Sequence, residues 1–331
     1  MNIIIYGAGA IGCHLAYCLS SYKNNIALIT KKKYLKIYKQ KGIDISIYSN
    51  EVLKKKTIIK ENDNLRFYSK LEDLDSTFKN KIDFIFITIK LKDFSSHIEK
   101  KIFLFSKKNT CIVPPCTYLS RWWFYKSFPK TKLPSSLFPE FYFFKKYKKN
   151  IVGMTMWVSA LAVKPGVIHV KHIQRGYPIM EFDKIQKKKI DKLRNQLRRK
   201  CMSPSVKNIL SELYIKAINS FAFNLLALKT EYNNKMLKKD KRSILAIKKI
   251  FEEFDKIINS ISLPIIQSRT SRIMQTLSST NHTLSMLTDY KNKKKVELIY
   301  LWKTFVLLSK LAKKNIVFTK NIYSMVLKKI K

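Results

Sequence analysis

Hydrophobic positions follow two rhythms along this chain. Up to about residue 183 they come in short unbroken runs, as in strands buried on both faces; beyond it they recur at helical spacing. The first run, Asn2-Ile3-Ile4-Ile5-Tyr6, stops at Gly7, a helix-like stretch covers residues 10–21, and Ile26-Ala27-Leu28-Ile29 forms a second run. Strand, helix and strand in that order make one βαβ unit. Further strands are predicted over residues 83–89, 110–113, 151–158 and 167–170, with Pro165-Gly166 as the turn between the last two. Residues 114–150, aromatic and lysine-rich with several prolines, read as an insertion or a long loop over the sheet. A helix over 184–200 closes this part. Ser203-Pro204 then offers an N-cap with proline at the first helical position, opening a long helix to about residue 228. Later helices are predicted over 240–260, 289–313 and 319–330. The change of rhythm divides the chain into domains of residues 1–202 and 203–331, with no internal repeat and no low-complexity linker.

The junction between the first strand and the first helix carries Gly7-Ala8-Gly9-Ala10-Ile11-Gly12, a G-x-G-x-x-G sequence. In that context each glycine has a task. Gly7 permits the tight turn, Gly9 lets backbone approach a pyrophosphate, and Gly12 lets the helix pack close to the strand. The helix N-terminus adds unpaired N–H groups and the positive end of a dipole. The expected fold is therefore α/β, a Rossmann-type doubly wound sheet, followed by an all-α C-terminal domain of the 6-phosphogluconate-dehydrogenase-like kind. Sites that take NAD place an Asp or Glu about 20 residues after the glycines, on the ribose 2′-hydroxyl. No acidic residue precedes Asp44 here, and Thr30-Lys31-Lys32-Lys33 follows the second strand, where a 2′-phosphate would lie. A carboxylate would repel that phosphate and Lys31 would attract it, so the cofactor expected is NADPH.

Composition changes this picture little. At 331 residues with 46% apolar and 27% charged residues, the chain can fill two ordinary globular domains. A formal net charge of +44 would ordinarily point to nucleic acid or a membrane surface. Only nine of the 66 basic residues are arginine, the side chain suited to bidentate phosphate and base recognition. Lysine, isoleucine, asparagine, phenylalanine and tyrosine share AT-rich codons, so compositional drift accounts for the excess. The lysines spread over almost every segment, and neither a specific nucleic acid nor a membrane is expected as partner. Five cysteines without a Cys-x-x-Cys pair indicate reduced thiols in a cytoplasmic protein. The five histidines form no ligand cluster: His169 and His172 fall on opposite faces of one strand, and no metal site is expected. Residues 3–20 lack a basic leader, and the apolar stretch 151–163 is too short to span a bilayer.

Candidate chemistry lies in the long helix of the second domain. Lys216, Ser220 and Asn224 recur every four residues, advancing about 40° per step, and so share one face. Phe221, Phe223, Leu225 and Leu226 occupy its other sides. A polar stripe on an apolar helix flanks a cleft or forms a solvated edge, and a lysine there is costly to bury without partners.

Together with the Gly7–Gly12 turn, these residues resemble the ketopantoate reductase (2-dehydropantoate 2-reductase) family over nearly the full length of the chain. Ile87-Thr88-Ile89-Lys90 resembles the family's strand ending in a cofactor-side lysine. Ile151-Val152-Gly153 through Pro165-Gly166-Val167-Ile168-His169-Val170 resembles its next hairpin. Leu213 to Asn224 resembles the helix with the catalytic lysine, and Ser285-Met286-Leu287-Thr288-Asp289 with Glu297 resembles its C-terminal signature. The resemblance implies NADPH-dependent reduction of 2-dehydropantoate to pantoate, a step toward coenzyme A, in a monomer or homodimer. Lys216 is then the general acid, its pKa lowered by desolvation so that it protonates the alkoxide left by hydride attack. Ser220, Asn224, Asn234 and Ser285 become substrate contacts, Ser285 to the carboxylate. Gly7 to Gly12, Lys31, Lys90, Glu297 and the backbone of Ala162 go to the cofactor.

The chain departs from the pattern in three places. The family's Asn-Gly pair after Lys90 is missing from Pro114-Pro115-Cys116-Thr117-Tyr118-Leu119-Ser120-Arg121-Trp122-Trp123-Phe124. A second family asparagine falls at Ser220, with Asn219 next door, and the Asn-Gly after the glutamate is Trp302-Lys303. Two other readings therefore stand beside the first: a related NADPH-dependent reductase of another 2-oxo acid, and a non-catalytic basic remnant that binds nucleic acid.

Overall fold

A parallel sheet forms first, from the short apolar runs. In chain order the elements are β1 (Asn2–Tyr6), α1 (Ala10–Leu19), β2 (Asn25–Ile29), α2 (Lys32–Lys41), β3 (Ile43–Ser49), β4 (Val52–Ile59) and β5 (Leu65–Tyr68). Then come α3 (Ser76–Asn80), β6 (Phe84–Ile87), α4 (Ser96–Phe105) and β7 (Cys111–Val113). This computed structural model describes residues 1–20, 23–49, 51–115, 117–134, 137–138, 148–181, 186–278 and 283–330. The sheet order is β5-β2-β1-β6-β7, every pairing parallel, with Ile3 in register with both Ile26 and Phe84. β1 and β6 are buried on both faces, which is why they carry no polar alternation. The chain leaves β1 toward β2 on one side and returns to β6 on the other. That reversal opens a crevice beyond the carboxyl ends of the two strands.

Behind this sheet, β3 and β4 join β9 (Trp157–Lys164) and β10 (Val167–Gly176) in a second sheet of order β4-β3-β10-β9. β8 (Val152–Met154) pairs with β11 (Ile179–Glu181), and α6 (Lys187–Arg198) packs on β11 and α1. Three expectations need correction here. The run 151–158 is two strands, because Thr155 donates to the Pro178 carbonyl and the chain then changes partner from β11 to β10. The strand expected to end at residue 170 continues to Gly176, past register shifts that reseat its pairing with β9. β3, β4 and β5 carry no clear signal: β4 holds Lys54, Lys55 and Lys56 and is largely exposed, so no buried face marks it. The start of the helix expected at 184 lies outside the described residues, and the described helix runs from Lys187 to Arg198.

The chain divides into two compact units, one of Met1–Cys116, Ser120–Trp122 and Pro134–Ile209, the other of Thr117–Leu119, Trp123–Leu133 and Leu210–Lys331. The second is helical: α7 (Ile209–Thr230), α8 (Asn234–Lys239), α9 (Lys241–Ser260), α10 (Arg269–Leu277), α11 (Ser285–Lys291), α12 (Leu298–Leu311) and α13 (Val317–Ile330). α7 is the axis of this unit, with Phe221 against Phe254 and Phe305, and Phe223 against Phe251. It starts at Ile209 and not at Pro204, and the buried Ser203 hydroxyl instead donates back to the Tyr177 carbonyl. The helix expected over 289–313 is two. Lys293 adopts a φ of 54°, and Lys293 and Lys294 donate to Tyr290 and Asp289 carbonyls, ending α11 in a C-terminal cap. α10 has no counterpart among the predicted helices. Part of the segment expected to lie over the sheet belongs to this unit: Trp123, in α5 (Arg121–Ser127), donates from Nε1 to the Leu210 carbonyl at 2.9 Å.

Candidate functional site

The amino-terminal cluster is built by close packing at two glycines and open space at a third. A Cβ on Gly7, whose φ is +122°, would lie 2.9 Å from the Ile89 nitrogen, and one on Gly12 would collide with the Gly7 carbonyl oxygen. A Cβ on Gly9 would meet nothing within 4 Å. Gly9 is the N-cap of α1, so the bare backbone there faces room for a ligand beside unpaired helical N–H groups. Ala8, Ala10 and Ile11 complete the turn, half-buried. Thr88, at the end of β6, ties the two strand ends together by donating to the Gly7 carbonyl at 2.8 Å. From α2 the buried Tyr38 donates its hydroxyl to the Ala8 carbonyl at 2.6 Å, and burial pushes its pKa up so that it remains a donor. Sequence reasoning missed Thr88 and Tyr38; neither belongs to the glycine pattern.

Charges of both signs lie near this turn, with Glu72 close enough to Tyr6 to raise its pKa beside the larger effect of burial. Neither α1 nor α2 has an acidic residue in its first turn. Lys31 is the exposed N-cap of α2, directly after the buried Thr30 that follows β2. Lys90 is exposed just beyond β6. Ala162 lies on β9 in the second sheet, in register with Ile168. The bare glycine backbone of this turn suits the pyrophosphate of a dinucleotide.

In the second unit, α7 shows why a polar stripe survives on a core helix. Every residue of 211–228 is buried except Lys216 and Ser220, which are half-buried. The stripe is thus where the axis of the unit reaches solvent. Asn224 extends it inward and is 3% exposed. Its Nδ2 donates to the Ser220 carbonyl at 2.7 Å, and its Oδ1 accepts from the Met286 nitrogen at 3.1 Å. That second bond caps the start of α11 and brings Ser285, the exposed first residue of that helix, to the same stripe. Asn234 is buried at the start of α8 and donates to the Thr276 carbonyl at 3.0 Å. Glu297, also buried, precedes α12.

One supporting network was invisible in the sequence. Asp255 of α9 accepts from Arg272 of α10 at 3.0 and 2.5 Å, from Arg269 at 3.0 Å and from Tyr214 of α7 at 3.0 Å. Arg272 is wholly buried and also lies over the Phe251 ring. This pairing fixes α10 against α7, and α10 presents Thr276 to Asn219 and Asn234. Among the described residues no group of three or more His, Cys, Asp or Glu side chains could hold a metal, and no helix is long and apolar enough to cross a membrane. A surface cavity of about 530 Å³ on α6, lined by Lys188, Asp191, Lys192 and Arg199 among others, shares no residue with either cluster.

Residues 3–114 match the model of the ketopantoate reductase PanE/ApbA family, and residues 208–329 match the model of the same family's C-terminal domain. A search among curated proteins finds no match. Among solved structures, the chain resembles a D-mandelate dehydrogenase in ternary complex with NADH and anilino(oxo)acetate, at 19% identity and TM-score 0.76, over 100% of this chain and 98% of that one. It resembles 2-dehydropantoate 2-reductase from Geobacter metallireducens at 13% identity and TM-score 0.76, over 99% of this chain and 100% of that one. The enzyme of the same name from Methylococcus capsulatus is similar at 14% identity and TM-score 0.73, over 99% and 96%. At such identities the likeness establishes the fold.

Proposed function

The chain belongs to the ketopantoate reductase family, and from that premise we propose that it reduces 2-dehydropantoate to pantoate with NADPH. The observation that carries this reading is the half-buried stripe of Lys216 and Ser220 on an otherwise buried helix, joined through Asn224 to Ser285. In this reading residues 1–202 bind the cofactor and residues 203–331 the substrate. Gly7 to Gly12 hold the pyrophosphate, Lys31 the 2′-phosphate, and Lys90, Glu297 and the Ala162 backbone are further cofactor contacts. A nicotinamide bound there supplies the hydride. Lys216 gives its Nζ proton to the substrate's carbonyl oxygen, and its positive charge stabilises the negative charge growing on that oxygen. Ser285 holds the substrate carboxylate, while Ser220, Asn224 and Asn234 orient the rest of the molecule without adding repulsive charge. Asn224 does this partly through the backbone of α11, which sets where Ser285 stands.

The test is NADPH oxidation by the purified protein with 2-dehydropantoate, beside Lys216→Ala. Turnover is expected to fall by about 100-fold or more in the variant, the range for a lost general acid. A variant as active as the parent removes Lys216 from the chemistry. A second reading, reduction of a different 2-oxo acid, is favoured by the missing Asn-Gly pair in residues 114–124 and by the likeness to a dehydrogenase solved with anilino(oxo)acetate. Cofactor oxidation that ignores 2-dehydropantoate yet responds to another 2-oxo acid would select it.

A further inference from the structure

Asn219 sits one residue before the position where the family carries an asparagine, and its side chain is held in a defined orientation. Thr276 fixes it. The Thr276 hydroxyl donates its single proton to the Arg272 carbonyl at 3.0 Å, so it offers Asn219 only lone pairs. The amide group facing it at 3.2 Å must therefore be the nitrogen, and Oδ1 points the other way. Arg272 in turn cannot move, being wholly buried against Asp255. Asn219 is 3% exposed, and its Oδ1 accepts no hydrogen bond from any described residue. A buried carbonyl oxygen without a donor is destabilising, so one held in place by a fixed network calls for an explanation. Asn219 lies three positions after Lys216, so the two are neighbours on one face of α7.

We propose that Asn219 Oδ1 accepts a hydrogen bond from a hydroxyl group of the substrate, and so selects 2-oxo acids that carry one. This rests on the reading of Lys216 as proton donor to a 2-oxo acid. Asn219 then supplies, from the next position along the helix, an amide that Ser220 lacks. Oδ1 is covered in this structure and has to be uncovered for the substrate to reach it. A 2-oxo acid without a hydroxyl leaves the oxygen stranded, and a site built to bond a hydroxyl rejects such an analogue strongly.

The experiment compares kcat/KM for 2-dehydropantoate and for 3,3-dimethyl-2-oxobutanoate, which differs only in lacking the hydroxyl, in the parent protein and in Asn219→Ala. The parent is expected to prefer the hydroxylated acid by on the order of 100-fold, and the variant's ratio to fall toward 1. Thr276→Val, which frees the amide to turn over, lowers the same ratio to a smaller extent, and Thr276→Ser retains it. These two variants decide the matter if Asn219→Ala does not fold. Equal loss on both acids in Asn219→Ala, or a parent ratio near 1, overturns the proposal while leaving the reductase reading intact. A folded parent protein that oxidises NADPH with neither acid overturns that reading, and the proposal with it.

Discussion

At the scale of single residues, the two glycines that pack tightly and the one that does not separate structure from binding within a single motif. Gly7 and Gly12 are required by their neighbours, whereas a Cβ on Gly9 would meet no protein atom within 4 Å. His14 makes the opposite case, a titratable group with a structural task two residues further along α1. It is completely buried, its Nδ1 lies 2.7 Å from the Tyr177 hydroxyl, and its other nitrogen lies 3.7 Å from the Cys18 sulfur. Desolvation lowers its pKa from 6.5 to about 4. The unfolded chain therefore takes up a proton at His14 near pH 6.5, and the folded chain resists it until near pH 4. Between those values the unfolded state binds more protons, so this group leaves stability untouched above pH 6.5 and erodes it as pH falls. The full cost, reached below pH 4, is on the order of 3 kcal/mol. Denaturant unfolding measured from pH 7 to pH 4 is expected to show this slope, and His14→Gln to flatten it. An equal slope in the variant would assign the acid sensitivity to other groups.

At the scale of elements, legibility followed contrast between neighbouring side chains. β1 and α1 were readable because an apolar run abuts glycines, β6 because an apolar run stands between Asp83 and Lys90, and α7 because Lys216, Ser220 and Asn224 interrupt a run of apolar residues. β4 was not readable, since Val52, Leu53 and Ile58 face solvent along with its lysines. α10 escaped for a related reason: residues 269–277 hold few apolar side chains, and what orders them is the Asp255 pairing with Arg272, a contact across 17 positions. The bond between Thr276 and Asn219 was hidden with it. Side-chain networks of this kind also join helices whose ends are themselves unremarkable in sequence. Glu253 of α9 accepts from the Phe318 nitrogen at 2.8 Å, the Thr319 nitrogen at 2.9 Å and the Thr319 hydroxyl at 2.6 Å. It caps the N-terminus of α13 from another helix, with its charge opposing the helix dipole. Glu253→Ala is expected to cost about 1–3 kcal/mol in denaturant unfolding, since it strands these donors near the core. Glu253→Gln, which keeps one acceptor but no charge, is expected to fall between. No change in the alanine variant would mean that water replaces the carboxylate fully.

At the scale of the whole molecule, 66 basic against 22 acidic residues leaves most lysines with like-charged neighbours. Some acidic groups are already committed, Asp255 to two arginines and Glu231 to Lys329. Exposed runs such as Lys54 to Lys56 on β4, where Asp44 lies 3.7 Å from Lys56, and Lys293 to Lys295 after α11 place like charges side by side. Such self-repulsion destabilises the compact state, because the expanded chain holds the same charges farther apart. It acts over a distance set by salt, about 30 Å at 0.01 M and about 10 Å at 0.1 M. Raising sodium chloride from about 0.01 M to about 0.5 M is therefore expected to raise Tm by a few degrees, about 2–5 °C for a chain of this size. Chloride is the salt to use, because sulfate strengthens apolar burial and would raise Tm for a different reason. A surface evolved to grip a polyanion would respond to salt in the same direction, so the discriminating arm is short duplex DNA added at low salt. Drifted lysines spread over the surface bind it weakly and without saturation, whereas a dedicated site saturates and protects by a Tm rise that depends on ligand concentration. Tm that stays flat with salt would show that the lysines stand far enough apart to ignore one another, and the charge would then carry no energetic consequence for the fold.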